Sequence, residues 1–234
     1  HSGSQADLLD FYVGSLREVD RLQREFEQAA GAFLDQESMM DDVMQQARGH
    51  YRRLAEKVQA IFTRHIETAG WPPPNRLANV DVFDKFVANK LKDSSHKIAY
   101  LMIDALRYEL GVALKNGLVE EDVPVELTAA HAQLPSITLV GMASLLPGAR
   151  TGLTLTLEKG ELLPKLDGSS VGNVKQRMGI LNKRYGDRFS EMLLNDFVRG
   201  KPNIPENVEL LVLRSTEIDQ QLENNPETTL GLIP

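Results

Sequence analysis

The run Ile98-Ala99-Tyr100-Leu101-Met102-Ile103 holds six consecutive apolar residues and stops at once on Asp104. A strand without polar alternation has both faces covered, which is the condition of a parallel sheet, and parallel strands need crossover helices between them. The class expected is therefore α/β, with a mostly parallel sheet and helices on both faces. The later pattern agrees. Residues 105–115, with the stop Asn116-Gly117, read as the crossover helix, 123–127 as a second strand, and 138–146 as a short helix between Pro135 and Pro147-Gly148. Residues 153–157 alternate and, across the turn Lys159-Gly160, hairpin with 161–166. Two helices are expected over 171–198. A last buried strand covers 208–213, with a helix starting near Thr216.

Upstream the period is different. From Leu9 the residues Tyr12, Leu16, Val19, Leu22 or Gln23, Phe26, Ala29 and Phe33 recur every three or four positions, and a second stripe runs through Val43, Ala47, Tyr51, Leu54, Val58, Ile61 and His65 to Gly70. Trp71-Pro72-Pro73-Pro74 ends it, because proline cannot continue a helix. Two helices of about 40 Å each are expected to pair as an antiparallel hairpin, packed on their own domain or used as a dimer arm. Val80, Phe83, Phe86, Val87 and Leu91 mark a third, connecting helix. The opening His1-Ser2-Gly3-Ser4-Gln5 looks like a tag remnant. The expected organisation is residues 1–5 as that remnant, 6–77 as the helical hairpin, 78–97 as the connecting helix and 98–234 as the α/β domain.

The 234 residues include 33 acidic and 26 basic side chains, a net charge of −7, which argues against general nucleic-acid binding through phosphate neutralisation. With no cysteine, disulfides, thiolate zinc sites and cysteine nucleophiles are excluded. No apolar run reaches the roughly 18 residues of a membrane span and no signal-peptide core opens the chain, so a cytoplasmic protein is expected.

Two stretches can carry chemistry. Asp104 stands where a buried parallel strand ends, a position that opens onto the ligand crevice of such sheets; it can equally cap the following helix. In Leu134-Pro135-Ser136-Ile137-Thr138, a hydroxyl at Ser136 or Thr138 stands at a helix start, where free backbone N–H groups attract an anion. Thr138 can equally be a simple cap. His131 is read first as a structural hydrogen-bonding residue and second as a ligand, and His65 as a packed histidine.

Taken together, these stretches resemble the PglZ family, a branch of the alkaline phosphatase superfamily that includes phosphatase-like components of BREX phage-defence systems. The likeness lies in Asp104-Ala105-Leu106-Arg107-Tyr108-Glu109, in Leu134-Pro135-Ser136-Ile137-Thr138 with Gly141-Met142-Ala143 and Leu145-Leu146-Pro147, and in Ser215-Thr216-Glu217-Ile218-Asp219. It covers about residues 98–224. The resemblance implies a site of two divalent ions, zinc first, with manganese or magnesium as alternatives. Carried over by position, Asp104 and Thr138 would bind one ion, with Thr138 as nucleophile, and Asp219 the other. Arg107 could reach a phosphate oxygen or pair with an acid such as Glu109. Such ions lower the pKa of a coordinated hydroxyl and clamp the attacking and leaving oxygens.

The chain departs from that pattern in two places. Four residues after the second aspartate, where the superfamily commonly has histidine, stands Glu223, a ligand better suited to magnesium or manganese than to zinc. The closing Asp-His-Gly segment of the superfamily has no counterpart before Pro234. The expectation is a fragment, inactive by itself, of a metal-dependent phosphoesterase acting on a phosphomonoester or phosphodiester, a nucleotide among them, through a phospho-threonine. Sulfate-ester hydrolysis or phosphate migration would use the same residues. The alternative is a non-catalytic scaffold or nucleotide sensor that docks defence proteins, or a second copy, through the helical region. The enzymatic reading requires Asp104 and Thr138 to meet. A separation beyond about 8 Å, with apolar packing between, removes it.

Overall fold

The computed structural model describes residues 3–31, 39–93, 95–200 and 202–224. Its first elements are α1 (Gln5–Phe11), a π-helical turn (Tyr12–Leu16), α2 (Arg17–Gly31) and α3 (Met39–Ala69). Then come α4 (Asn79–Val82), continued by a π-helical turn (Phe83–Ala88), β1 (Ile98–Ile103), α5 (Tyr108–Glu120), α6 (Thr138–Ser144) and α7 (Ala149–Gly152). The rest is β2 (Leu153–Glu158), β3 (Glu161–Leu166), β4 (Ser169–Ser170), α8 (Val174–Tyr185), β5 (Phe189–Leu193), α9 (Leu194–Arg199), β6 (Leu210–Ser215) and α10 (Glu217–Asn224). These form two compact units, one of residues 1–73, 106–129 and 219–234, the other of 74–105 and 130–218. No helix among the described residues is long and apolar enough to cross a membrane.

In the first unit α1 and α2 run antiparallel to α3. Gln5 donates to the Gly70 carbonyl at 3.3 Å, the Tyr51 hydroxyl to Asp20 at 3.0 Å, and Arg48 to Glu27 at 2.7 Å, so rising numbers on one side meet falling numbers on the other. The expected hairpin pairing is observed, while Phe33 and the link at 32–38 lie outside the described residues. Ser4 caps α1 and Gln5 is buried, so both residues take part in the fold. The seam is partly polar. Gln23 and Glu27 are buried along it, whereas Leu22 and Val43 stay exposed.

Asp20 accepts a hydroxyl on each carboxylate oxygen, from Tyr12 at 2.7 Å and Tyr51 at 3.0 Å. Burial first, and then the negative charge of Asp20, pushes the Tyr51 phenol up to about 12. Burial and the hydrogen bond to Asp20 raise Tyr12 further. An unfolded tyrosine ionises near 10, so the native state holds protons that the unfolded chain has lost. The stability this confers is whole below pH 10 and is lost as pH rises from about 10 towards 12. Denaturant titrations of the wild type should show that loss, and Tyr51→Phe should flatten it. Identical pH slopes for the two proteins would count against the network.

The second unit is built on a parallel sheet of order β1-β6-β5. Central β6 feeds both cores in alternation. Leu210 and Val212 join Phe83, Leu146 and Leu181 on one face, while Leu211 and Leu213 meet Met192, Phe197 and Ile204 on the other. Both faces of the sheet are thus covered at β6, as the α/β class requires. The edge strand β1 is a correction to the expectation of two buried faces, because Leu101 is 45% exposed. Strands β2, β3 and β4 make a separate antiparallel sheet, and Lys159 and Gly160, with φ of 53° and 85°, form its first turn. Both values match the left-handed positions of a two-residue hairpin.

Three further expectations are corrected. Residues 123–127 form no strand, since no described segment offers them a ladder. The span 171–198 holds the two expected helices, α8 and α9, but they do not fill it, because strand β5 stands between them. Helix α5 starts at Tyr108 rather than 105, because Ala105 takes φ 58°, and it runs through Asn116-Gly117 to Glu120.

Candidate functional site

The carboxyl edge of the parallel sheet gathers the polar residues. Asp104 extends the β1 to β6 ladder by one bond, its N–H donating to the Ser215 carbonyl at 3.0 Å. The turn of Ala105 then returns the next N–H to the Asp104 side chain, which accepts it on Oδ1 at 3.0 Å. This disposes of the capping alternative: the residue at the N-cap of α5 is Arg107, and the carboxylate of Asp104 is directed elsewhere. Asp104 is buried, at 9% exposure.

Its neighbour is Thr138. The hydroxyl Oγ1 lies 3.5 Å from Asp104 Oδ1, on the donor side of a long hydrogen bond. Thr138 is no cap either. It is the first residue within α6, Ile137 takes the N-cap place, and no side chain caps that end. The helix is seated by the fully buried Val140 and Ala143. Tyr100 on β1 locks it to the strand by donating to the Leu145 carbonyl at 3.2 Å. An exposed hydroxyl and a buried carboxylate are so brought together by a strand end and a helix start 34 residues apart.

Sequence reasoning passed over two neighbours at this edge. Glu217, two residues before the expected Asp219, accepts the Ser215 hydroxyl and, at 2.5 Å, the Asn195 amide. The Ser215 hydrogen bond, followed by backbone donors, holds its carboxyl below the usual carboxylate range. Being the first acid after an apolar strand was a signal as good as that of Asp104. Arg177 on α8 is 7% exposed, its Nη1 donating to the Val171 carbonyl at 3.3 Å. Burial acts to discharge it, Asp104 opposes that, and Arg214 adds to it. Nothing in the local pattern distinguishes Arg177 from a solvated helix residue.

Arg107, Asp219 and Glu223 belong to the first unit. Arg107 stands 3.7 Å from the buried Glu109, which Arg24 holds at 2.9 and 3.2 Å, so its ion-pair alternative is realised. Asp219 and Glu223 lie one turn apart on α10. His131 serves through its backbone, donating to Leu77 O and accepting from Asn79 N–H.

The donor set at Asp104 and Thr138 can be tested against a metal. Two oxygens bound to one tetrahedral ion at about 2.0–2.1 Å lie about 3.3 Å from each other, close to the separation found. Both are hard donors that suit magnesium, manganese or zinc. They fit as part of the ligand set of one ion. Among the described residues no group of three His, Cys, Asp or Glu side chains stands together to complete it.

Comparison with known proteins bears on the same residues. The family model of the BREX system PglZ alkaline phosphatase-like domain matches residues 82–213. The alkaline phosphatase-like protein PglZ of Bacillus cereus (strain H3081.97) is 25% identical over 196 residues, which is 77% of this chain and 21% of that protein. The chain spans about a fifth of the length of that relative. No solved structure matches it. Since the family model takes in more than half of the residues, Asp104 and Thr138 among them, the chain belongs to the PglZ family of alkaline phosphatase-like domains of BREX systems.

Proposed function

We propose that this chain carries the nucleophile part of a phosphoesterase site, in which Thr138 attacks the phosphorus of a phosphomonoester or phosphodiester. The observation that carries the reading is the 3.5 Å approach of the Thr138 hydroxyl to Asp104, with neither side chain spent on a helix cap. Thr138 Oγ1 bonds to phosphorus, the ester P–O bond breaks, and the alcohol leaves with a proton from water. The hydroxyl proton departs towards Asp104 Oδ1, the acceptor beside it, and passes to solvent. Water then cleaves the phospho-threonine, restoring the hydroxyl and releasing phosphate or its monoester. A divalent ion held by Asp104 and Thr138 would lower the pKa of the hydroxyl. Asp219 is proposed as a ligand of a second ion on the strength of the family pattern, and Glu223 takes the place where that pattern commonly has histidine.

The test uses the full-length natural protein supplied with zinc, manganese or magnesium. It should release p-nitrophenol from an aryl phosphate mono- or diester and fail to do so from the aryl sulfate. Chelation or Asp104→Ala should reduce turnover at least about 100-fold. Turnover that survives both would overturn the reading.

A further inference from the structure

Two hydrogen bonds join α6 to β1. At one end the Thr138 hydroxyl approaches Asp104 at 3.5 Å, and at the other the Tyr100 hydroxyl donates to the Leu145 carbonyl at 3.2 Å. Residue numbers rise along the strand as they fall along the helix, so α6 lies antiparallel to β1. The two spans are comparable. Four strand residues at about 3.3 Å each cover about 13 Å, and seven helix residues at about 1.5 Å each cover about 10 Å.

The bond at the far end is the one able to hold the helix in place. The first end of α6 has no side-chain cap, and the bond to Asp104 there is long. The apolar seat of Val140 and Ala143 keeps the helix on the core but, being non-directional, does little against a slide along the strand. Leu145 stands at the C-cap, where helix carbonyls lack partners within the helix, and Tyr100 supplies one. The Tyr100 ring is itself fixed. The fully buried Phe83 meets it edge-on at 5.6 Å, and its backbone is in register with Val212 of β6. Burial holds its phenol well above the usual range, so the hydroxyl remains a donor across neutral pH.

We propose that Tyr100 is the positioning residue of this site, its bond to the Leu145 carbonyl setting how closely Thr138 approaches Asp104. For its effect on turnover the inference rests on the phosphoesterase reading. Without the hydroxyl the far end of α6 is released, and Thr138 samples places beside the reactive one. A displacement of about 1 Å at a reacting atom costs on the order of 10²-fold in rate. That cost falls on kcat rather than KM, because the approach of Thr138 matters to the forming P–O bond more than to the bound ground state.

Tyr100→Phe keeps the ring and deletes the donor. In the full-length natural protein supplied with manganese, it should lower kcat for an aryl phosphate at least about tenfold and leave KM within about twofold. Ser144→Ala is the control. It removes a hydroxyl that donates to the Gly141 carbonyl at 2.6 Å, inside the helix itself, and should keep kcat within about twofold. Hydrogen exchange read by mass spectrometry follows the tie without substrate. Peptides of α6 should exchange at least about fivefold faster in Tyr100→Phe, while those of β6 keep the wild-type rate. A wild-type kcat in Tyr100→Phe overturns the inference and leaves the nucleophile in place. Unchanged exchange at α6 also overturns it, as does an equal loss of turnover in Ser144→Ala or a matching rise at β6, the marks of a merely structural tyrosine. If wild type shows no turnover while α6 still loosens alone in Tyr100→Phe, the phosphoesterase reading falls and the positioning tie stands.

Discussion

Thr138→Ala in the full-length protein is expected to lower kcat for an aryl phosphate by at least about 10³-fold, the scale on which removal of a nucleophile acts. The geometry makes this a clean experiment. Thr138 is exposed, its hydroxyl caps no helix, and its one hydrogen bond, to Asp104, is long at 3.5 Å. Loss of that hydroxyl should leave folding stability within about 0.5 kcal/mol of wild type, as for other surface changes. Thr138→Ser keeps an oxygen at the same position and should retain most of the turnover. A phosphorylated species trapped by acid quench should be present in wild type and absent from Thr138→Ala. Equal turnover in wild type and Thr138→Ala would remove the nucleophile, whatever metal was supplied.

The parts of the fold that were legible in the sequence are those whose pattern is local. The hairpin of β2 and β3 was readable because alternation and the pair Lys159-Gly160 belong to one short stretch. The helices α2 and α3 were readable because apolar residues recur every turn, but their buried faces were read only in part, since Gln23, Glu27 and Ala30 are buried while Ala29, Val43, Leu54 and Ile61 are exposed. Strand β5 was not. Phe189-Ser190-Glu191-Met192-Leu193 spaces its apolar residues three and four apart like a helix face, and only pairing with β6 makes it extended. The reverse error at 123–127 has the same cause, since β-prone residues form a strand only where a ladder is offered. At the site, Asp104 and Thr138 could be found because each ends or begins an element, where side chains face the crevice of an α/β sheet. Arg177 could not be found. Its burial is imposed by Val171 and the fold around it, not by its neighbours in the chain.

The first unit offers a prediction of comparable size for stability. Glu27 is 1% exposed, and its carboxylate is met by Arg48 at 2.7, 2.9 and 3.2 Å and by the Gln23 amide at 2.8 Å. Removing the guanidinium leaves a buried carboxylate whose charge only an amide answers, and such a deletion costs far more than the pair contributes when intact. Arg48 is itself about one-third exposed, so water can return to part of the gap. Arg48→Ala is therefore expected to cost about 2–3 kcal/mol, below the 3–5 kcal/mol of a fully buried pair. Replacing both charges, as Glu27→Leu with Arg48→Met, removes the stranded carboxylate and should recover most of that loss. The probe is built in. Trp71 is the one tryptophan of the chain and packs edge-on to Phe62 at 5.1 Å within the same unit, so its fluorescence in urea follows the unfolding of this unit. A single variant with an unshifted midpoint, or a double variant less stable than Arg48→Ala, would show that the pair does not hold α2 to α3.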